Sequence, residues 1–202
     1  MANRERIAAI IAVVIGVPLV FFFARALADS VARANETPIR ALIGNQAYDA
    51  LERGEDSELH YKGNDLLAPD FILRDRHGKP WRLRDHRGKV IVMNFWSITC
   101  QPCVEEMPDL SELASLVKDE DDVEVIAVSI DRGWDAVSAI FPPRTPLKVL
   151  FDPDNSVVRG KFGTRLFPET WIIDPEGVIR LRVDGRRDWS NAIVLDAIDL
   201  FR

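Results

Sequence analysis

The sequence predicts an α/β domain, a sheet with helices against it, behind one N-terminal membrane-spanning helix. Three observations predict this. From about Leu66 onward, short apolar runs alternate with segments of helical spacing. One of those runs, Val90 to Trp96, is almost wholly apolar and β-branched, as a strand covered on both faces must be. At the N-terminus, Arg4 and Arg6 precede an uncharged run from Ile7 to Ala24. With 47% apolar and 29% charged residues the chain reads as globular rather than disordered, and its formal charge of −6 lacks the basic excess of a nucleic-acid surface.

The N-terminal run is 18 residues long, just within the roughly 17–25 that cross a bilayer as a helix. The arginines ahead of it place the chain start in the cytoplasm and everything after it outside. Ala26-Leu27-Ala28 resembles a cleavage site, so residues 1–28 are either a signal anchor or a signal peptide. Arg25 beside that site, and a run longer than the ~7–15 residues of a signal core, favour the uncleaved anchor. Residues 29–64 are polar and mixed in charge and read as a spacer. A short helix from Pro38 through Ile39, Leu42, Ile43 and Ala47 has only weak periodicity.

Residues 65–202 form the expected domain. Phe71–Leu73 and Trp81–Leu83 flank the turn-rich Asp75-Arg76-His77-Gly78-Lys79-Pro80 and read as a hairpin. The strand Val90–Trp96 follows. Cys103, Met107, Leu110, Ala114 and Val117 then recur at steps of 4, 3, 4 and 3, a helix. Val123–Ile130 is the next buried strand. A helix at Trp134–Ile140, a strand at Leu147–Phe151 and a helix at Asn155–Phe162 come after it. Thr170–Ile173 and Val178–Val183 are strands joined by Asp174-Pro175-Glu176-Gly177. A last helix is expected to turn Trp189, Ile193, Ala197 and Leu200 inward.

The chemistry lies in the two cysteines, three residues apart in Thr99-Cys100-Gln101-Pro102-Cys103. With no others present, no structural disulfide framework exists for them to join. Zinc would need two more ligands, and His60, His77 and His86 form no spaced pair. The pair follows a buried strand and opens a helix. Unpaired N–H groups and the helix dipole there favour a thiolate at Cys100. Pro102 suits a first turn, and Cys103, one turn in, is placed to resolve a mixed disulfide.

The stretch from Ala68 to Pro108, with Asn94-Phe95-Trp96 ending a strand, then the cysteine pair, then Glu106-Met107-Pro108, resembles the TlpA/ResA-like group of membrane-anchored thioredoxins. That group includes reductases of cytochrome c maturation. Phe167-Pro168-Glu169-Thr170 is similar to its cis-proline loop, and the likeness runs over roughly residues 65 to 202. The resemblance implies a thioredoxin fold with an N-terminal β-hairpin and a central strand–helix insertion over about Trp134 to Phe162. It implies a thiol–disulfide oxidoreductase on the outer side of the inner membrane, with electrons from a membrane thiol carrier and disulfide-bearing proteins as substrates. No cofactor or metal is called for.

Residue roles follow from the same likeness. Pro168 is expected as the cis-proline facing the pair, and the Phe167 backbone as a place where an extended substrate adds a strand. Trp96, Thr99 and Pro102 are expected around the same groove. Glu106 shares a helix face with Cys103 and Leu110, so burial should raise its pKa and let it exchange a proton with Cys103. Asn94 stands where ordinary thioredoxin has a buried aspartate, which leaves Glu106 as the acceptor. Thr99 departs from the group, which usually has tryptophan there. Two other readings stay open. A thiol peroxidase of peroxiredoxin type would need a proline four residues before its cysteine, where this chain has Trp96. A copper-carrying assembly factor would need a histidine after Cys100, and none follows.

Overall fold

Along the chain, α1 (Ala2–Ile43) and α2 (Asn45–Glu52) precede the hairpin strands β1 (Ile72–Asp75) and β2 (Pro80–Arg82). Then come β3 (Val90–Trp96), α3 (Gln101–Leu116), β4 (Val123–Ser129), α4 (Trp134–Val137) and β5 (Lys148–Phe151). β6 (Glu169–Ile173), β7 (Ile179–Asp184) and α5 (Ala192–Asp199) complete it. This computed structural model describes residues 2–52, 66–141 and 144–202, and the chain divides into two units, 1–38 and 39–202.

The strands form one seven-stranded sheet in the order β2-β1-β5-β4-β3-β6-β7. β3, β4 and β5 run parallel, and the outer pairings are antiparallel. All seven residues of β3 are buried. Successive side chains point to opposite faces, so the strand splits between two cores. Val90, Val92 and Trp96 join Met107, Leu110, Leu113 and Ala114 of α3 and Val194, Ala197 and Ile198 of α5. Ile91, Met93 and Phe95 join Phe71, Trp81, Val157, Val158 and Phe162 on the other side. Each such side chain contributes roughly 1.5–3 kcal/mol through burial. The hairpin, the helix after the cysteines and the strands expected from the sequence are all present.

The second core is not roofed by a helix, and here the expected helix at Asn155–Phe162 gives way to consecutive turns. The buried Asp152 carboxylate takes the N–H groups of Val157 and Val158 at 3.0 and 2.7 Å, as a cap takes the free donors of a first turn. The segment then closes with wide turns, Gly160 and Phe162 donating to carbonyls five residues back. The insertion at Trp134–Phe162 therefore keeps its strand, β5, and the short α4 that leads to it, and lacks the second helix. The last helix is also rotated from expectation. Asn191 caps it through Ile193 N–H, so Trp189 precedes it and its buried face is Val194, Ala197 and Ile198.

Residues 29–64, expected as a polar spacer, are helical as far as Ile43 and again over Asn45–Glu52, and residues 53–65 lie outside the described set. Pro38 sits inside α1 rather than opening a helix. Leu42, Ile43 and Tyr48 are buried in the first core. Within residues 1–38, Ile15, Val17, Leu19, Val20 and Phe21 to Phe23 of α1 are exposed. Among the described residues, no helix is long and apolar enough to cross a membrane.

Gly160 distinguishes turns from helix experimentally. In a helix, Gly160→Ala would stabilise by about 1 kcal/mol. Here an added Cβ would lie 2.1 Å from the Ser156 carbonyl oxygen. Urea denaturation should show Gly160→Ala to be destabilising, by on the order of 1–3 kcal/mol.

Candidate active site

β3 and β4 end side by side, with Trp96 opposite Ser129, and the chain leaves β3 toward the cysteines. Cys100 is the N-cap residue of α3, with an extended backbone at φ −94° and ψ 102°. Its Sγ accepts the Cys103 backbone N–H at 3.3 Å, so the sulfur occupies the place a serine or aspartate oxygen takes in other helices. Cys100 and Cys103 are joined as a disulfide, their Cα atoms 5.3 Å apart. Cys100 is half-buried and Cys103 wholly buried. An attacking group from solvent therefore reaches one sulfur and not the other.

Glu106 is wholly buried one turn beyond Cys103. Asn94 Nδ2 donates to its Oε1 at 2.7 Å, while the Trp189 indole and the Arg187 backbone N–H donate to Oε2 at 3.1 and 3.2 Å. The parity of β3 explains the first contact. Asn94 shares a face with Val92 and Trp96, toward α3, and its cross-strand partner Thr170 takes the other amide hydrogen at 2.9 Å. Burial pushes the Glu106 carboxyl above the usual glutamate range, against the pull of Trp189, Arg187 and Asn94.

A second carboxylate, not singled out from the sequence, fixes the approach to the pair. Asp131, just past β4, accepts from Ile98 N–H at 2.8 Å, Ser97 Oγ at 3.0 Å and Ser129 Oγ at 2.7 Å. Thr99 completes the loop through Ser97, Oγ1 to Oγ at 3.0 Å. The available signal was an aspartate closing a buried strand, Ser129-Ile130-Asp131. Arg187 and Trp189 had no such signal, since both lie in a polar loop far along the chain.

The remaining candidates are distributed unevenly. The Phe167–Pro168 peptide is cis, and Pro168 immediately precedes β6. Because Phe95 pairs with Glu169, that loop lies at the same sheet end as the cysteines. Phe167 is half-buried against the same core as Cys100. Thr99 and Pro102 are exposed. Trp96, grouped from the sequence with the groove residues, is wholly buried with its ring edge-on to Phe141 at 5.6 Å, so it supports the loop from beneath. Pro168 is also buried, and its carbonyl accepts Gly185 N–H at 2.9 Å.

A dithiol pair at a helix N-terminus, beside a cis-proline on a sheet of this topology, defines a thioredoxin-fold thiol–disulfide oxidoreductase. Comparison with known proteins agrees. Residues 66–182 match the model of the AhpC/TSA family. The thiol-disulfide oxidoreductase ResA of Bacillus subtilis (strain 168) is 31% identical over 161 residues, which cover 79% of this chain and 86% of that protein. Among solved structures, a putative thioredoxin from Neisseria meningitidis is 32% identical, covering 66% of this chain and 87% of its own, with a TM-score of 0.57. A putative thiol:disulfide interchange protein DsbE from Chlorobium tepidum is 27% identical over 65% of this chain and 95% of its own, with a TM-score of 0.56. The chain belongs to the AhpC/TSA family, among its ResA/TlpA-like thiol–disulfide oxidoreductases.

Two outcomes follow from the carboxylates. Asp131→Ala leaves three donors without their acceptor and should cost about 1–3 kcal/mol in denaturant unfolding, with faster hydrogen exchange at the Ile98 amide. For Glu106, folding raises the carboxyl above its ordinary 4.5, so its stabilising contribution is complete below that pH. That contribution is lost as pH climbs through the raised value, at up to about 1.4 kcal/mol per unit. Glu169 and Asp152 are raised by burial too, so the quantity to measure is the difference between wild type and Glu106→Gln. The variant should lose that part of the slope.

Proposed function

We propose that this chain is an extracytoplasmic disulfide reductase, held at the inner membrane by residues 1–28 and acting on exported proteins with Cys100 and Cys103. The observation that carries the reading is the asymmetry of the pair: one sulfur half-exposed at a helix N-terminus, the other wholly buried. The basic start, the uncharged run from Ile7 to Ala24 and the exposed apolar side chains from Ile15 to Phe23 support the anchor.

In the reduced enzyme the Cys100 thiolate attacks one sulfur of a substrate disulfide. A mixed disulfide forms and the first substrate thiolate leaves. Glu106 as carboxylate takes the proton of the Cys103 thiol, and the resulting thiolate attacks Cys100 Sγ. The Cys100–Cys103 disulfide forms and the second substrate thiolate departs. Two electrons pass to the substrate, and a membrane thiol carrier returns them by the reverse exchange. The raised pKa of Glu106 suits it to this task, because a carboxylate of ordinary acidity is a poor base toward a thiol. Phe167 and Pro168 border the substrate groove, with Thr99 and Pro102 on its exposed side. Apocytochrome cysteines are the substrate class that the resemblance to cytochrome c maturation reductases suggests. A peroxidase reading gains the family match, yet Trp96 still stands where the peroxidase pattern has proline.

Cys103→Ser should accumulate mixed disulfides through Cys100, visible as thiol-sensitive adducts by mass, and Cys100→Ser should abolish exchange. Full turnover by Cys103→Ser would end this mechanism. The direction of electron flow is read from the reduction potential. A value near −270 mV, about that of thioredoxin, supports a reductase, whereas one near about −120 mV reverses the flow.

A further inference from the structure

The loop between β7 and α5 is tied at three points. At its start, Gly185 N–H donates to the Pro168 carbonyl. In its middle, the Arg187 backbone N–H and the Trp189 indole both reach Glu106 Oε2. From the same residue, Arg187 Nε donates to the Leu42 carbonyl at 2.9 Å, in the last turn of α1. Its Nη1 turns back onto the Arg186 carbonyl at 2.9 Å, so the guanidinium is fixed at both ends. A cation at a helix C-terminus is favourable, because the last carbonyls have no partner within the helix. Leu42, Ile43 and Tyr48 are buried in one core with Trp189 and Cys103.

We infer that Arg187 is a positioning residue for Glu106, and that by gripping Leu42 it makes the Ile39–Tyr48 segment part of the proton-handling apparatus. The backbone N–H of Arg187 stays on Oε2 only while the loop keeps its place, and the side chain on Leu42 holds it there. This inference rests on the reading of Glu106 as the proton acceptor for Cys103.

The groups around Glu106 are few. Asn94, itself held by Thr170, faces it from the sheet, and Trp189 and the Arg187 N–H face it from the loop. Arg186, also in the loop, attracts its charge and lies 4.0 Å from Glu105. Cys103 and Asp109 are on its own helix, and Asp188 adds a negative charge beside Asp109. Loss of an N–H that favours the ionised form moves the titration upward. Arg186 remains in every variant below, and Arg187→Lys keeps the second cation as well.

The test uses the reduced full-length protein in detergent. The Glu106 carboxyl carbon is followed by NMR against pH, assigned by its absence in Glu106→Gln, and the reductase rate is measured over the same range. Arg187→Ala should raise the Glu106 midpoint by about 0.5 unit, a threefold change in the ionised ratio. Arg187→Lys, which keeps the charge and can still donate to the Leu42 carbonyl, should fall between. The rate profile should move with the midpoint. An unchanged midpoint in folded Arg187→Ala overturns the inference. Should Arg187→Ala fail to fold, Arg187→Gln decides by the same criterion. A shifted midpoint with a stationary rate profile leaves the positioning intact and overturns the proton-acceptor reading instead.

Discussion

The double burial of β3 is the constraint from which the site descends. A strand with apolar side chains on both faces must sit in the middle of a sheet, with material on each side. Its alternation sends Val92 and Trp96 toward α3 and Met93 and Phe95 away from it. The same alternation sends Asn94 toward Glu106. Because the strand is immobilised on both faces, the chain leaving Trp96 starts from a fixed point. The cysteine pair is thus delivered to a helix N-terminus four residues later with little freedom to wander.

Two carboxylates flank this delivery point and are solvated in opposite ways. Asp131 is part-buried and takes two hydroxyls and a backbone amide, which shape the loop before Cys100. Glu106 is wholly buried and takes three donors, yet burial still outweighs them in raising its pKa. Taking a charge of this kind out of water costs several kcal/mol after relaxation, and that cost is what lifts the pKa. Glu169, equally buried, is instead matched by the Arg182 guanidinium at 2.9 Å and by Thr164 and Trp171. The contrast separates an acid with a cation in contact from one without.

What the sequence disclosed, and what it hid, follows the range of the interactions. β3 was legible because its run is continuous, and the cysteine pair because helix, proline and spacing agree locally. The burial of Glu106 was legible from the i, i+3 rule and its candidacy from the family resemblance, but its donors Arg187 and Trp189 were not, being more than 80 residues distant. The segment Asn155–Phe162 has helix-compatible apolar spacing, yet it folds as consecutive turns, with Gly160 and Phe162 donating to carbonyls five residues back. The stretch Ile39–Tyr48 read as a spacer because its helical periodicity is weak. Its Leu42, Ile43 and Tyr48 are buried nonetheless, in one core with Trp189, Val194, Ala197 and Ile198 from the C-terminal end of the chain.

The hydrogen bond from Trp189 to Glu106 gives the molecule an internal optical gauge. An excited indole responds to charge placed against its ring N–H, and here that charge belongs to a single carboxylate. Among the five tryptophans, Trp189 alone donates to Glu106. The protonation state of a buried group, ordinarily hidden from view, is thereby written into the colour and yield of one residue's emission.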